Sequence, residues 1–177
     1  MAGQRLTDKS ALTSNTASGD LFLVVDVSDS TGSAAGTSKK VAAPYVINTA
    51  TISLTSANVN DLDDTKQTLV AAPGSGYFLQ PITITCICTH VSQPQANQGY
   101  LEIGYTGVGG TNYLVRQRDF YKDIGADCTF VFGYTAPPAA GSYAGTINNV
   151  ALQIGSSAAF SGDWTMKVHT TYQVVSI

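Results

Sequence analysis

A period of two dominates the later two-thirds of the chain. From Pro81 to Thr89, Ile82, Ile84, Cys86 and Cys88 fall on one side and Thr83, Thr85 and Thr89 on the other. Near the end, Trp164, Met166, Val168, Tyr172 and Val174 alternate with Thr165, Lys167, His169, Thr171 and Gln173. Strict alternation of this kind is the mark of half-buried antiparallel strands, one face packed and the other facing water or a partner. Eight strand-like runs follow from the same reading, near 51–55, 67–71, 77–89, 100–105, 113–119, 128–134, 150–154 and 164–175. Turn formers separate them, among them Pro73-Gly74-Ser75-Gly76, Gly107-Val108-Gly109-Gly110 and Ser161-Gly162-Asp163. No stretch free of Gly and Pro carries the 3.6-residue period of a long amphipathic helix. The expectation is an all-β fold, an antiparallel β-sandwich of jelly-roll type, since the jelly roll is the common eight-strand, two-sheet solution.

The first 48 residues read differently. They hold one short apolar run, Leu21, Phe22, Leu23, Val24 and Val25, among Ser, Thr, Ala, Gly and Asp. Leu21 to Val27 reads as a strand, and Ser38 to Val41 as a second strand that pairs back on it across the Gly- and Ser-rich stretch 28–36. A lone two-stranded hairpin is marginal in water, so such a segment is expected to gain order by docking. The chain therefore divides into an extended N-terminal attachment arm with a short β-hairpin, 1–48, and a jelly-roll-like sandwich domain, 49–177. A β domain of that size can bury a working core without metal or disulfide.

Composition sharpens this picture. Hydrophobic residues make up 44% of the 177 positions, an ordinary share, but charged residues only 12%, about half the usual ~25%. A surface so poor in charge is easily brought against other protein, because few ions must be desolvated on contact. The net charge of −3 and a pI near 5.1 argue against nucleic acid as a partner. Lys39-Lys40 and Arg116/Arg118 are the tight basic pairs, and neither forms a stripe. The apolar runs are far too short to span a bilayer, no segment has the layout of a signal peptide, and no membrane partner is expected.

Chemistry-bearing residues are sparse. Cys86 and Cys88 lie two apart on one strand and so share a face. Regular strand geometry does not let them bridge. With Cys128 the count is odd, which fits assembly in a reducing cytoplasm and buried structural thiols. Asp61, Asp63 and Asp64 form the densest acidic cluster; they lack an EF-hand spacing and read as a polar loop or a helix N-terminus, with calcium binding left open. His90 and His169 sit in no nucleophile motif, and nucleophile-elbow, zinc-hydrolase and P-loop patterns are lacking. Glu102 is the single Glu, so nothing in the spacing favours a glycosidase carboxylate pair. No enzyme, cofactor or metal is expected. Tyr100, Tyr105, Tyr113, Tyr121, Tyr134 and Tyr143 flank turns or strand ends. With Trp164 they suit either core and subunit contacts or a carbohydrate groove.

Three passages resemble structural proteins of tailed phages. The arm 12–29, closed by Thr37-Ser38-Lys39-Lys40-Val41, is similar to virion attachment segments at the N-termini of tail-fibre and head-decoration proteins. The stretch 69–77 resembles the early hairpin of small phage β-sandwich proteins, and 161–175 their closing strand. The resemblance covers about a third of the chain. It implies a non-enzymatic virion component, a homotrimeric capsid cement (decoration) protein or a related fibre protein. Such a protein would be made in the host bacterial cytoplasm and sit on the outer surface of the capsid. Its partner would be the major capsid protein, with Leu21, Phe22, Leu23, Val24 and Val25 as the docking strand. The absence of repeats or heptads that would build a shaft favours cement protein over fibre. The alternative is a tail or head fibre or receptor-binding protein that recognises host-surface glycans; a β-sandwich hydrolase is a more distant third.

Overall fold

The computed structural model describes residues 47–105, 113–133 and 147–177, the strands at 21–26 and 37–42, and Ser28 and Thr31. Ten strands and one short helix follow one another within them: β1 (Leu21–Asp26), β2 (Thr37–Ala42), β3 (Asn48–Leu54), α1 (Ser56–Asn60), β4 (Gln67–Val70), β5 (Tyr77–Thr89), β6 (Tyr100–Tyr105), β7 (Tyr113–Arg118), β8 (Cys128–Gly133), β9 (Leu152–Ser156) and β10 (Thr165–Ser176). The fold is all-β. β3-β10-β5-β8 form one four-stranded sheet, β4-β9-β6-β7 form another, and β1-β2 form a separate ribbon. Every pairing is antiparallel. The partners are nested: β3 lies on β10, β4 on β9, β5 on β8 and β6 on β7, so the chain runs like a long hairpin folded across two sheets.

The alternation read from the sequence sets which face is inside. On β10, Met166, Val168, Thr170 and Tyr172 are buried while Lys167 and His169 are exposed. On the edge strand β8, Cys128, Phe130 and Phe132 turn inward and Thr129, Val131 and Gly133 outward. These side chains meet Leu101, Ile103 and Tyr105 of β6 and Leu152 and Ile154 of β9 in one continuous core.

β5 departs from the simple pattern. Its buried residues are Leu79 and Pro81, then Ile84, Cys86 and Cys88. The parity changes because Ile82 is an extra residue: Thr171 pairs with Thr83, but Tyr172 pairs with Pro81. This bulge lets a 13-residue strand bury side chains at both ends, since without it the residues before Thr83 would turn their apolar set outward. Ile82, expected on the Ile84 face, is the residue the bulge displaces and is only half-buried.

The chain leaves β3 through α1. Thr55 is the N-cap and forms a capping box with Asn58, each side chain accepting the other's backbone N–H. Val59 of α1 and Leu62 just beyond it are fully buried. The acidic run follows the helix. Asp61 is the C-cap, and its carbonyl accepts from Asp64 and Thr65 at 3.2 and 2.7 Å. The run is a polar turn at the C-terminal end of α1 and not the helix N-terminus that was its alternative reading.

One end of the sandwich is held by a polar and aromatic plug. Gln95 is fully buried. Its Oε1 accepts from the backbone N–H of Asn97 (2.7 Å) and from Ser161 Oγ (3.1 Å), and its backbone carbonyl accepts from Asp123 N (2.8 Å). The Asp163 carboxylate accepts from Ser92 N, Ser92 Oγ and Gln93 N at 2.8, 2.5 and 2.7 Å. These bonds hold its pKa down at about 2, the Ser92 hydroxyl contributing most. Beneath them Trp164 packs on Tyr121, Phe160 and Phe120 at ring separations of 4.6, 5.8 and 6.1 Å and donates its indole N–H to Ser161 O.

Candidate functional site

The expected docking residues Leu21, Phe22, Leu23, Val24 and Val25 all lie on β1. Their backbones pair with β2 in the register Leu21–Ala42, Phe22–Val41, Leu23–Lys40, Val24–Lys39 and Val25–Ser38. Their side chains lie outside the described residues. The apolar run and the Lys-containing run therefore form an antiparallel ribbon, and among the described residues that ribbon is hydrogen-bonded into neither four-stranded sheet. A two-stranded ribbon has two outer edges whose backbone groups are placed to extend a sheet.

β3 starts at Asn48, which is buried and pairs with Tyr172. The hydrogen-bonded body of the sandwich therefore begins at Asn48, the residue placed last in the arm.

The sandwich presents two chemically distinct outer faces. On the β3-β10-β5-β8 sheet the outward rows are Thr49–Thr171–Thr83–Gly133, Thr51–His169–Thr85–Val131 and Ser53–Lys167–Ile87–Thr129. This face is broad, rich in Thr and free of carboxylates. His169 Nδ1 lies 2.8 Å from Thr51 Oγ1, and Val131 is 64% exposed. A hollow of about 300 Å³ opens at its rim between Ser53, Thr55, Thr89, Thr165 and Lys167.

The other sheet carries a charged and aromatic group that the sequence reading did not assemble. Glu102, 2% exposed, points outward from central β6. It is opposite Arg116 on β7 and Gly155 on β9. Arg116 Nε sits 3.0 Å from Glu102 Oε1, and the guanidinium carbon lies 3.9 Å from the Tyr100 ring centre and 5.1 Å from that of Tyr113. Cation–π stacking and the buried carboxylate together hold the Arg flat on the sheet. Gly155 leaves the space that the Lys66 stem fills, for a Cβ there would stand 2.9 Å from Lys66 Cγ. A lone Glu within an otherwise apolar strand was the available signal; its partner fourteen residues on becomes visible only with the β6–β7 register. Beside this group a hollow of about 240 Å³ is lined by Gln98, Tyr100, Arg118, Asp119 and Ser157.

The two histidines are not brought into a catalytic arrangement. His169 is on the outer face of β10, whereas His90 follows β5, its backbone N–H donating to Asp127 Oδ1 at 2.8 Å. Among the described residues no group of three or more His, Cys, Asp or Glu side chains is placed to hold a metal ion. Of the two readings open to the aromatic residues, core packing and a carbohydrate groove, three of them take the first. Trp164 is fully buried and lines no surface. Tyr105 and Tyr121 are buried as well, while Tyr134 and Tyr143 lie outside the described residues. No helix among the described residues is long and apolar enough to cross a membrane.

No family model matches the chain, and no curated protein matches it significantly. Among solved structures, the acidic stable capsid structure of Helicobacter pylori bacteriophage KHP30 is similar at 12% identity and a TM-score of 0.42, over 75% of this chain and 93% of that one. The cyanophage Pam1 capsid asymmetric unit is similar at 12% identity and a TM-score of 0.41, over 97% of each chain. The N-terminal cellulose-binding domain of a Cellulomonas fimi β-1,4-glucanase C follows at 10% identity and a TM-score of 0.25, over 72% and 89%. Likenesses this loose carry no inference about role.

Proposed function

We propose that the chain is a non-enzymatic virion structural protein, a capsid cement protein of a tailed phage that binds the major capsid protein through its N-terminal arm. The observation that carries the reading is the β1–β2 ribbon, an antiparallel pair that includes the one apolar run of the first 48 residues and that, among the described residues, is hydrogen-bonded to neither sheet of the sandwich. A ribbon with open edges is suited to adding strands to exposed edges on a neighbouring subunit. Leu21, Phe22, Leu23, Val24 and Val25 supply its anchoring strand. The nested pairing of the eight body strands supports reading the β-sandwich as a jelly roll, and the charge-poor Thr face fits close protein contact. A homotrimer over a junction of capsid subunits would engage three arms, and each later contact would form at high effective concentration. The protein would then sit on the outer surface of the head, after synthesis in the host cytoplasm.

The test compares the full chain with a variant lacking residues 1–46, which spares β3. Each is added to particles stripped of the protein and pelleted, with circular dichroism to establish that the variant is folded. Loss of co-sedimentation by the folded variant supports the reading; undiminished binding overturns it.

A second reading, a tail or head fibre protein that binds host glycans, is favoured by the polar hollow beside Tyr100. Tyr, Gln, Asp, Ser and Arg around about 240 Å³ offer the ring face and hydrogen-bonding groups that a sugar uses. Glycan-array binding lost in Tyr100→Ala would move the assignment to this reading.

A further inference from the structure

The three cysteines are not equivalent. Cys88 of β5 and Cys128 of β8 are direct cross-strand partners, close enough for each thiol to perturb the ionisation of the other. Directly opposed residues in an antiparallel pair have Cα atoms about 4.5–5.5 Å apart, inside the ~4.4–6.8 Å that a disulfide spans. Cys86 faces Phe130 instead. It stands on the diagonal from Cys128, where side chains lie about 7–8 Å apart. It also stands two residues along the same strand from Cys88, about 6.8 Å away with a parallel Cβ. Access differs too: Cys86 and Cys88 are fully buried, whereas Cys128, first residue of an edge strand, is only half-buried.

We propose that Cys88 and Cys128 are a latent disulfide pair, closed by thiol–disulfide exchange with a low-molecular-weight disulfide such as oxidised glutathione. The half-buried Cys128 thiolate attacks one sulfur of the small disulfide. That S–S bond breaks, a mixed disulfide forms at Cys128, and one small thiol departs. The Cys88 thiolate then attacks Cys128 Sγ, expelling the second small thiol and leaving the protein S–S bond. Two electrons pass from the protein thiols to the small disulfide, and the two thiol protons end on the two departing thiols. Burial raises the pKa of both cysteines, so closure is slow at neutral pH and speeds up as pH rises.

The bond would lock the edge strand β8 to β5. Among the described residues β8 has one neighbouring strand, and His90 N donates to Asp127 Oδ1 beside the thiols. It would close the covalent loop from 88 to 128, which restricts the unfolded chain and stabilises the fold.

The test treats the full chain with oxidised glutathione at mildly alkaline pH, quenches in acid, alkylates free thiols and maps the peptides by mass. The expected product has no crosslink between chains, carries a Cys88–Cys128 crosslinked peptide and leaves Cys86 as the one alkylated thiol. It melts several degrees higher, reversed by dithiothreitol. Cys86→Ser should still close and Cys128→Ser should not, with circular dichroism showing both folded. Three alkylated thiols after treatment, a persistent glutathione adduct at Cys128, a bond through Cys86 or a covalent dimer would each overturn the proposal.

Discussion

Replacing Trp164 by Ala tests whether the aromatic plug holds the end of the sandwich. The indole is fully buried, makes ring contacts with Tyr121, Phe160 and Phe120 and donates to Ser161 O at 2.9 Å. Truncating a buried Trp to Ala removes this burial and leaves a cavity, which together destabilise by about 3–5 kcal/mol. The Ser161 carbonyl also loses its donor. Set against a folding free energy of about 5–15 kcal/mol for a domain of ordinary size, this is a large fraction. At about 2–4 °C per kcal/mol for a chain of this length, the melting temperature should fall by roughly 6–20 °C. Trp164→Phe keeps a ring among rings but drops the indole hydrogen bond, and should cost about 2 kcal/mol. Val131→Ala, at a site 64% exposed, should stay within about 0.5 kcal/mol of the parent. Because Trp164 is the one Trp in the chain, unfolding is followed by far-ultraviolet circular dichroism rather than fluorescence. A Trp164→Ala variant that melts with Val131→Ala would refute the idea that this cluster holds the loops together.

Three further outcomes are expected. Gly162 has φ +89°, and a Cβ there would stand 2.5 Å from Gln93 O and 2.8 Å from Pro94 O; Gly162→Ala should therefore destabilise by about 1–3 kcal/mol. Gly125→Ala, whose Cβ would meet nothing within 4 Å, should not, and equal urea midpoints for the two would contradict this. Asp163 has its folded pKa lowered from 3.8 to about 2, so its contribution is fully present above about pH 4 and disappears as pH falls toward 2; the stability gap between the parent and Asp163→Asn should close over that window, and a gap independent of pH would argue against the clamp. The costs of Arg116→Met and Glu102→Gln should sum to more than the cost of the double change, because the single Arg change strands a buried carboxylate; strict additivity of their urea midpoints would show that the pair is not coupled.

Much of the fold was written in periodicity. β5 and β6 match the expected spans 77–89 and 100–105 at both ends, and on β10 the apolar set and its Thr, Lys and His counterpart separate as alternation requires. What periodicity could not carry was any feature defined by register. The bulge at Ile82 depends on how β5 meets β10. The opposition of Cys88 to Cys128 and of Glu102 to Arg116 depends on which strands become neighbours. Helix α1 is five residues long, too short for an amphipathic period; its local signal was the Thr55-x-x-Asn58 box, with Asn in place of the usual Glu or Gln. The burial of Trp164 was visible as one face of the expected run 164–175, yet the same residue was weighed as a sugar platform because composition alone does not say which aromatics close the core. Strand β1 was legible as an apolar run, and its pairing partner β2 as a Lys-containing run of matching length.

The most direct test of the central claim is the distribution of the protein on particles from the source culture, by immunogold electron microscopy with an antibody against the sandwich domain. A cement protein predicts label spread evenly over the head. Label confined to a tail tip or a single vertex, or particles free of label, would contradict it.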